Sequence, residues 1–465
     1  MFEEDGFVNL NPLIKRFENM LKDNHLLFFD VDEFEALSDY YFETGRLDDA
    51  LKVVELADHQ HPSASSFTVR KAQYYTATDQ ITAAEEQIAK LESISPGSQD
   101  LFMARAGINA KKGNHQKAIH FYKQAIQHAE FPEDIWPLIA IEYQMLGNFE
   151  LALKYLKLAL EVNASDEIAI YNIALCYDLL EKPKEGIEYF GKFIEINPYS
   201  EIAWYHLAIL NAKRREYNEA LRCVDYALLI DETFIAAYYE KARILERTFR
   251  YQEAAETYEE SFEYDGPTGY SYYKIGLCYL KMHKDKKAQA YFTKAGQEDP
   301  DLDEAFYELA LLNDENKEPN QAIFHINKAL DLDPDNWDYL FASADIHKRG
   351  GLLNEAEGVY KDLILKGYEE PQVYIDYAEL LFDLCEFEQG MDLLYRGIEM
   401  NPESAEMHYR LSGYLYTLKE NDEANIYFKK ALSLDADRRK YFFELFPKLQ
   451  ENPVILQLVS KFHKS

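Results

Sequence analysis

Apolar residues recur at helical spacing along nearly the whole chain, and the segments that carry them come in pairs. In the stretch starting at Glu167, the first segment puts Ile170, Ile173, Ala174 and Tyr177 on one face, and the second puts Gly186, Phe190 and Phe193 on one face. The pairing repeats every 34 residues. Steps of 34 from Ala50 meet only alanine or glycine, ending at Gly390 and Ala424, with no insertion or deletion. The series 12 residues earlier, Ser38 to Ser412, is small throughout, and the series four residues later, Val54 to Phe428, is apolar or aromatic throughout. Two helices cross closely only where neither has a bulky side chain, so the small series marks the crossing and the large one fills the space around it. Prolines such as Pro62, Pro96, Pro198, Pro300, Pro334 and Pro402 stop the second helix, and Gly45, Gly113 and Gly147 mark the turn between the two. The pattern predicts an all-α stack of antiparallel helix pairs over residues 31–438.

The ends depart from the pattern. Residues 10–21 place Leu13, Ile14, Phe17, Met20 and Leu21 on one helical face. Residues 439–465 carry Phe442, Leu445, Phe446, Leu449, Ile455, Leu458, Val459 and Phe462. A stack of repeats leaves an apolar face bare at each end, and a terminal helix covers it. The expectation is a capping region at 1–30, twelve repeats over 31–438, and a capping helix or helix pair at 439–465. The alternative is that the last segment docks into a groove or onto a second subunit.

Composition narrows the function. With 49 basic and 83 acidic residues the net charge is −34, which repels phosphate backbones and anionic lipid. Neither nucleic-acid nor membrane-surface binding is expected. MFEEDGFVNL is acidic and lacks the basic region and apolar run of a secretory signal, and no stretch reaches the ~20 apolar residues of a membrane helix. Cys176, Cys223, Cys278 and Cys385 are far apart and form no CxxC, so a reducing cytoplasm is the expected location.

The units resemble tetratricopeptide repeats. Trp136 and Trp204 match the aromatic at position 4, Tyr41, Tyr75, Tyr143, Tyr177 and Tyr279 the tyrosine at position 11, and Ala57, Ala125, Ala159, Ala227, Ala295, Ala329 and Ala431 the alanine at position 27. Leu91, Phe193 and Leu363 are large at position 27, and half the repeats lack the terminal proline. The resemblance implies a right-handed α-solenoid, a superhelix whose concave groove is lined by position 5 of each first helix. That position reads Tyr171, Tyr205, Tyr239, Tyr273, Tyr307, Phe341, Ile375 and Tyr409. Position 9, one turn on, reads Leu175, Ile209, Arg243, Leu277 and Leu311, and position 13 reads Lys213, Arg247 and Lys281. Tyrosine offers a large contact area, few torsions to freeze and a hydroxyl, which suits a peptide with apolar anchors. The same tyrosines can instead pack between neighbouring first helices. The cations can face a partner's carboxylates or pair locally with residues such as Glu246. In YSYYKIGLCYL, Tyr272, Gly276 and Tyr279 are packing positions, Cys278 is a small buried hydrophobe, and Tyr273 faces the groove. The family's clamp for chaperone tails resembles Lys at position 5 and Asn at position 9. Neither occurs here, and Asn172 alone matches a further position.

No catalytic or metal motif stands clear, so no enzyme activity and no cofactor is expected. Asp331, Asp333, Asp335 and Asp338 lack the glycine and the final glutamate of a calcium loop. His59 and His61 are read as surface residues, and Asn163-Ala164-Ser165 is a glycosylation triplet without a signal to deliver it. The chain is therefore expected to be a protein-interaction scaffold or adaptor that takes a protein or peptide in its groove. The alternatives are a structural protein that self-associates into a homo-oligomer through its terminal helices, or a ligand-sensing repeat protein.

Overall fold

The computed structural model describes residues 10–23, 26–62, 64–368 and 370–462, the side chains of Lys461 and Phe462 excepted, so the acidic N-terminal stretch 1–9 lies outside them. Among the described residues there is no strand. The chain divides into two compact units, Met1–Glu240 and Lys241–Ser465.

In the first unit, Leu10–Asp23 precedes the pairs Val31–Glu43 with Leu47–Gln60, Ser65–Ala77 with Ile81–Ile94, and Gln99–Lys111 with His115–Ile126. Trp136–Met145 with Phe149–Val162, Glu167–Leu179 with Pro183–Ile196, and Glu201–Lys213 with Tyr217–Ile230 follow. Ile235–Arg247, which spans the boundary between the units, and Tyr251–Glu260 come next. The second unit continues with Gly269–Lys281 and Asp285–Glu298, Asp303–Glu315 and Pro319–Leu332, and Trp337–Arg349 and Leu353–Leu365. Pro371–Asp383 with Phe387–Met400 and Ala405–Thr417 with Asn421–Leu434 complete it, ahead of the short helices Arg439–Leu445 and Pro453–Phe462.

The small residues do what their spacing demands. Every member of both series, from Ser38 and Ala50 to Ser412 and Ala424, is buried where the two helices of a pair meet. The large residues four places on, among them Phe190, Phe292, Tyr360 and Phe428, are buried beside them. Each removes apolar area worth ~2 kcal/mol. Where the small residue is glycine the fit is closest. A Cβ on Gly276 would stand 2.6 Å from the buried Phe292 ring, and one on Gly186 would stand 2.8 Å from Leu210 Cδ1.

Each turn is built one way, whatever residue fills it. The fifteenth residue of each unit has positive φ: glycine at Gly45, Gly113, Gly147 and Gly351, but Asp79, Glu181, Arg215, Phe249, His283, Lys317, Cys385 and Lys419 elsewhere. The next residue's N–H then reaches back across the helix end, as in Asn148 N–H to Tyr143 O at 2.9 Å and Glu386 N–H to Leu381 O at 2.7 Å. This left-handed cap satisfies the carbonyls a helix end leaves bare, at ~1 kcal/mol of strain where the residue is not glycine. Side chains of Ser98, Asp166, Ser200 and Ser404 cap the first helix of their pairs.

The terminal helices pack on their neighbours. Leu13, Ile14, Phe17 and Met20 are buried on the first pair, with Phe17 5.8 Å from Phe29, and Arg16 reaches Glu33 at 2.8 Å. Leu21, expected on that face, is exposed, although Met20 next to it is buried. At the other end Phe442 enters the ring cluster of Tyr409 and Phe428, Phe446 packs on Gly413 and Tyr414, and Ile455 and Leu458 are buried.

Gly276→Ala is expected to destabilise the protein by about 1–3 kcal/mol, although alanine serves at the same place in most other units. Urea unfolding of the variant beside the wild type measures this, and an unchanged midpoint would mean the crossing has slack.

Candidate interaction surface

The first helices present one face away from their partners, and on Trp136–Met145, Glu167–Leu179 and Glu201–Lys213 that face is largely apolar. On Glu167–Leu179, Ile168, Tyr171, Leu175 and Leu179 fall on one stripe at intervals of three and four residues. Ile168 is 72% exposed, Tyr171 55% and Leu179 51%, while Leu175 is half-buried. On the preceding first helix Met145 is 64% exposed and Ile141 is exposed beside it. Gln144 ties the two helices together by donating to Asn172 Oδ1 at 3.1 Å and to Cys176 Sγ at 3.3 Å. On Glu201–Lys213, Ile202, Tyr205 and Ile209 continue the stripe, all half-buried, to the exposed Lys213. Exposed Ile, Met and Leu in one patch are a surface that water disfavours and a partner can cover.

His206 sits beneath this stripe. Its ring stacks on Phe190 at 6.1 Å and meets Tyr171 edge-on at 5.7 Å and Tyr205 at 5.2 Å. Burial lowers its pKa from the ordinary histidine value to about 4. Tyr205 also packs edge-on against Phe234 at 5.1 Å. The tyrosines thus lean on rings beneath them and still show an edge to solvent.

Along one rim the stripe is acidic. Glu161, Glu167, Glu195, Glu201, Asp231 and Glu232 stand at the joints between units, in stretches with no lysine or arginine. Glu167 and Glu201 line a cleft of about 340 Å³ with Ile170, Ile196, Tyr199 and Ile202. The cations at the other end of these helices are matched: Lys213 pairs with Asp178, and Lys182 with Glu150 at 3.3 Å.

In the second unit the corresponding face changes character. Tyr273 packs on Phe292 at 5.8 Å and Tyr307 on Tyr339 at 4.7 Å, with Leu277 and Leu311 half-buried between. Ile375 and Tyr409, in the same register, are buried. Lys281 is exposed and acts on Glu308, whose pKa burial raises and Lys281 lowers. Further along, ion pairs replace apolar surface: Arg349 with Asp314 at 2.8 Å, Lys348 with Glu379 at 2.9 Å, Arg410 with Glu379 at 3.4 Å, and Arg438 with Glu406 at 2.6 Å. Within this network burial raises Asp376 to about 6. Tyr239 is half-buried, and Arg243 and Arg247 are exposed.

Among the described residues no cluster of three or more His, Cys, Asp or Glu could hold a metal ion, and no helix is long and apolar enough to cross a membrane. The run Asp331–Asp338 falls on a turn where Asn336 caps the next helix and Asp335 pairs with Lys366. His59 is exposed, but His61 is half-buried among Phe28, Phe34 and Phe67 and bonds to Phe29 O at 2.8 Å. The sequence reading of His61 as a surface residue is therefore corrected. Cys278 is buried, with its thiol pushed up to about 12 by burial.

A tetratricopeptide-repeat family model matches residues 169–200, 235–267, 303–336 and 405–438, and a second tetratricopeptide-repeat model matches 270–301. The chain is a tetratricopeptide-repeat protein. No curated protein matches it. Among solved structures it is similar to YrrB, described as a TPR protein with an unusual peptide-binding site, at 22% identity over 38% of this chain and 94% of that one, with a TM-score of 0.32. A tetratricopeptide repeat protein from Parabacteroides merdae is 23% identical over 53% of this chain and 98% of its own, with a TM-score of 0.36. The Cut9–Hcn1 hetero-tetramer of APC/C is 12% identical over 87% and 95%, with a TM-score of 0.37.

The His206 environment has a pH consequence. Its folded pKa lies below the unfolded value, so the stability it carries is fully present above about pH 6.5 and is lost as pH falls toward 4. Between pH 7 and pH 5 the wild type is expected to lose about 2 kcal/mol through this residue. His206→Phe is expected to remove that part of the pH dependence, as read by urea unfolding at both pH values.

Proposed function

We propose that the chain is a non-catalytic scaffold or adaptor that holds a protein segment along the inner faces of its first helices. All twelve helix pairs are read as repeats, with 1–30 and 439–465 as caps. The observation that carries the reading is the stripe Ile141, Met145, Ile168, Tyr171, Leu175 and Leu179, continued by Tyr205 and Ile209. Exposed aliphatic side chains beside ring edges supply the dry, low-entropy contact in which interface energy concentrates. The acidic rim at Glu167 and Glu201 adds a condition on the partner, which carries Lys or Arg beside its apolar anchors. Tyr239, Arg243, Arg247, Tyr273, Leu277, Lys281, Tyr307 and Leu311 extend the candidate face at lower apolar exposure. The terminal helices bury Phe442, Ile455 and Leu458 in their own stack, which favours capping over self-assembly.

A peptide array probed with the wild type and with the triple variant Ile168→Ser, Tyr171→Ser, Leu179→Ser tests this. These side chains are exposed, so the fold should hold to within about 0.5 kcal/mol each. The expected hits combine aliphatic or aromatic anchors with Lys or Arg, and the variant weakens them at least about tenfold. Hits of that kind that bind the variant equally would move the binding face elsewhere.

A further inference from the structure

Most cations along the inner face of the second unit stand against a carboxylate: Lys274 on Glu246 at 3.0 Å, Lys348 on Glu379, Arg349 on Asp314, Arg410 on Glu379. One turn breaks this habit. KMHKDKK, residues 281–287, joins the helices Gly269–Lys281 and Asp285–Glu298 and holds four lysines against one aspartate. Lys281, Lys284, Lys286 and Lys287 are all exposed, and no ion pair engages any of them among the described residues. Lys284 donates to Gln252 Oε1 at 3.1 Å, a neutral partner, and Lys287 lies 4.9 Å from the Tyr279 ring centroid.

The arrangement is electrostatically unfavourable in isolation. Lys284 stands at the N-cap of the second helix, and Lys286 and Lys287 lie in its first turn, where the helix end is already positive. Among the described residues no carboxylate stands in ion-pair reach of these four lysines, and Lys281 alone acts on one from further off, Glu308. The turn also borders a hollow. His283, Lys284, Asp285, Lys286, Lys287 and Gln289, with Asn316 and Glu318 of the next helix pair, line an open cleft of about 600 Å³.

We propose that this turn is a docking site for an acidic peptide segment of a partner protein, separate from the apolar stripe of the first unit. Carboxylates entering the cleft relieve the mutual repulsion of the lysines and complement the helix end. A nucleic acid brings the same local charge, but its long phosphate backbone meets the field of a chain at −34. A short acidic segment confined to the turn meets less of that field.

The test is fluorescence anisotropy with labelled deca-glutamate, deca-glutamine and a deoxythymidine decamer at about 0.15 M salt, where exposed charges further apart than ~8 Å are screened. The comparison variants are Lys281→Gln, Lys284→Gln, Lys286→Gln and Lys287→Gln combined, and Lys111→Gln, Lys112→Gln and Lys117→Gln combined. The second set neutralises another lysine-rich turn, where Lys112 already pairs with Glu85 at 2.5 Å. Circular dichroism confirms that both variants fold. The expected result is that deca-glutamate binds, deca-glutamine does not, the quadruple variant loses at least about tenfold, and the triple variant keeps wild-type binding. Absence of deca-glutamate binding, equal loss in both variants, or an oligonucleotide bound as tightly as the peptide would each overturn the proposal.

Discussion

The close approach of two helices at a pair of small residues is the constraint on which the rest of this protein depends. Gly186 against Tyr177 and Leu210, or Gly276 against the ring of Phe292, lets helices come near enough for the larger neighbours to fill the space around them. That contact consumes one face of each first helix. The turn, with its left-handed fifteenth residue, sends the chain back at a fixed angle, even where Phe249 or Lys317 must take a conformation suited to glycine. The opposite face of the first helix takes no part in that crossing and meets only neighbouring helices. What that face carries is therefore free to vary, and it does vary: apolar at Ile168, Tyr171 and Met145, ion-paired at Arg349, Lys348 and Glu379.

The fold is legible in the sequence because the crossing tolerates so few residues. A position that admits only Ala, Gly or Ser declares itself at each step of 34, and the turn and the large residue four places on follow at fixed offsets. The interaction face is less legible, since no packing rule constrains it. The register placed Tyr171, Leu175, Tyr205 and Ile209 on the stripe but passed over Ile168, Met145 and Leu179, the most exposed aliphatic residues there. Their signal was present as isoleucine, methionine and leucine at positions that point away from the pair. The register also could not separate Tyr171, which shows half its surface, from Tyr409, which is buried at the same position because Phe442 of the capping helix covers it. Leu21 and His61 were misread for a related reason. Periodicity does not say which residue of a terminal turn finds a neighbour or which loop ring is drawn into a phenylalanine cluster.

Charge is distributed as deliberately as apolar surface. A net of −34 keeps a long chain with exposed Ile196, Tyr199, Leu229 and Leu365 from associating indiscriminately. Local matching uses up many of the cations on the inner faces, as Lys213 with Asp178 and Arg410 with Glu379 show. The carboxylates Glu167 and Glu201 beside the apolar stripe and the lysine turn at 281–287 stand outside the ion pairs found among the described residues. Unmatched charge beside accessible surface is what selects one partner from many, because a wrong partner leaves it buried and alone.

The central claim is that the first helices' inner face, and not the outer second helices, receives a partner. Photo-crosslinking addresses it directly, using a peptide with a diazirine-bearing aliphatic anchor flanked by lysines, followed by mass-spectrometric mapping of the adducts. The account predicts adducts on Met145, Ile168, Tyr171 and Leu179, competed away by the same peptide without the diazirine. Adducts confined to the second helices Phe149–Val162, Pro183–Ile196 and Tyr217–Ile230 would contradict it.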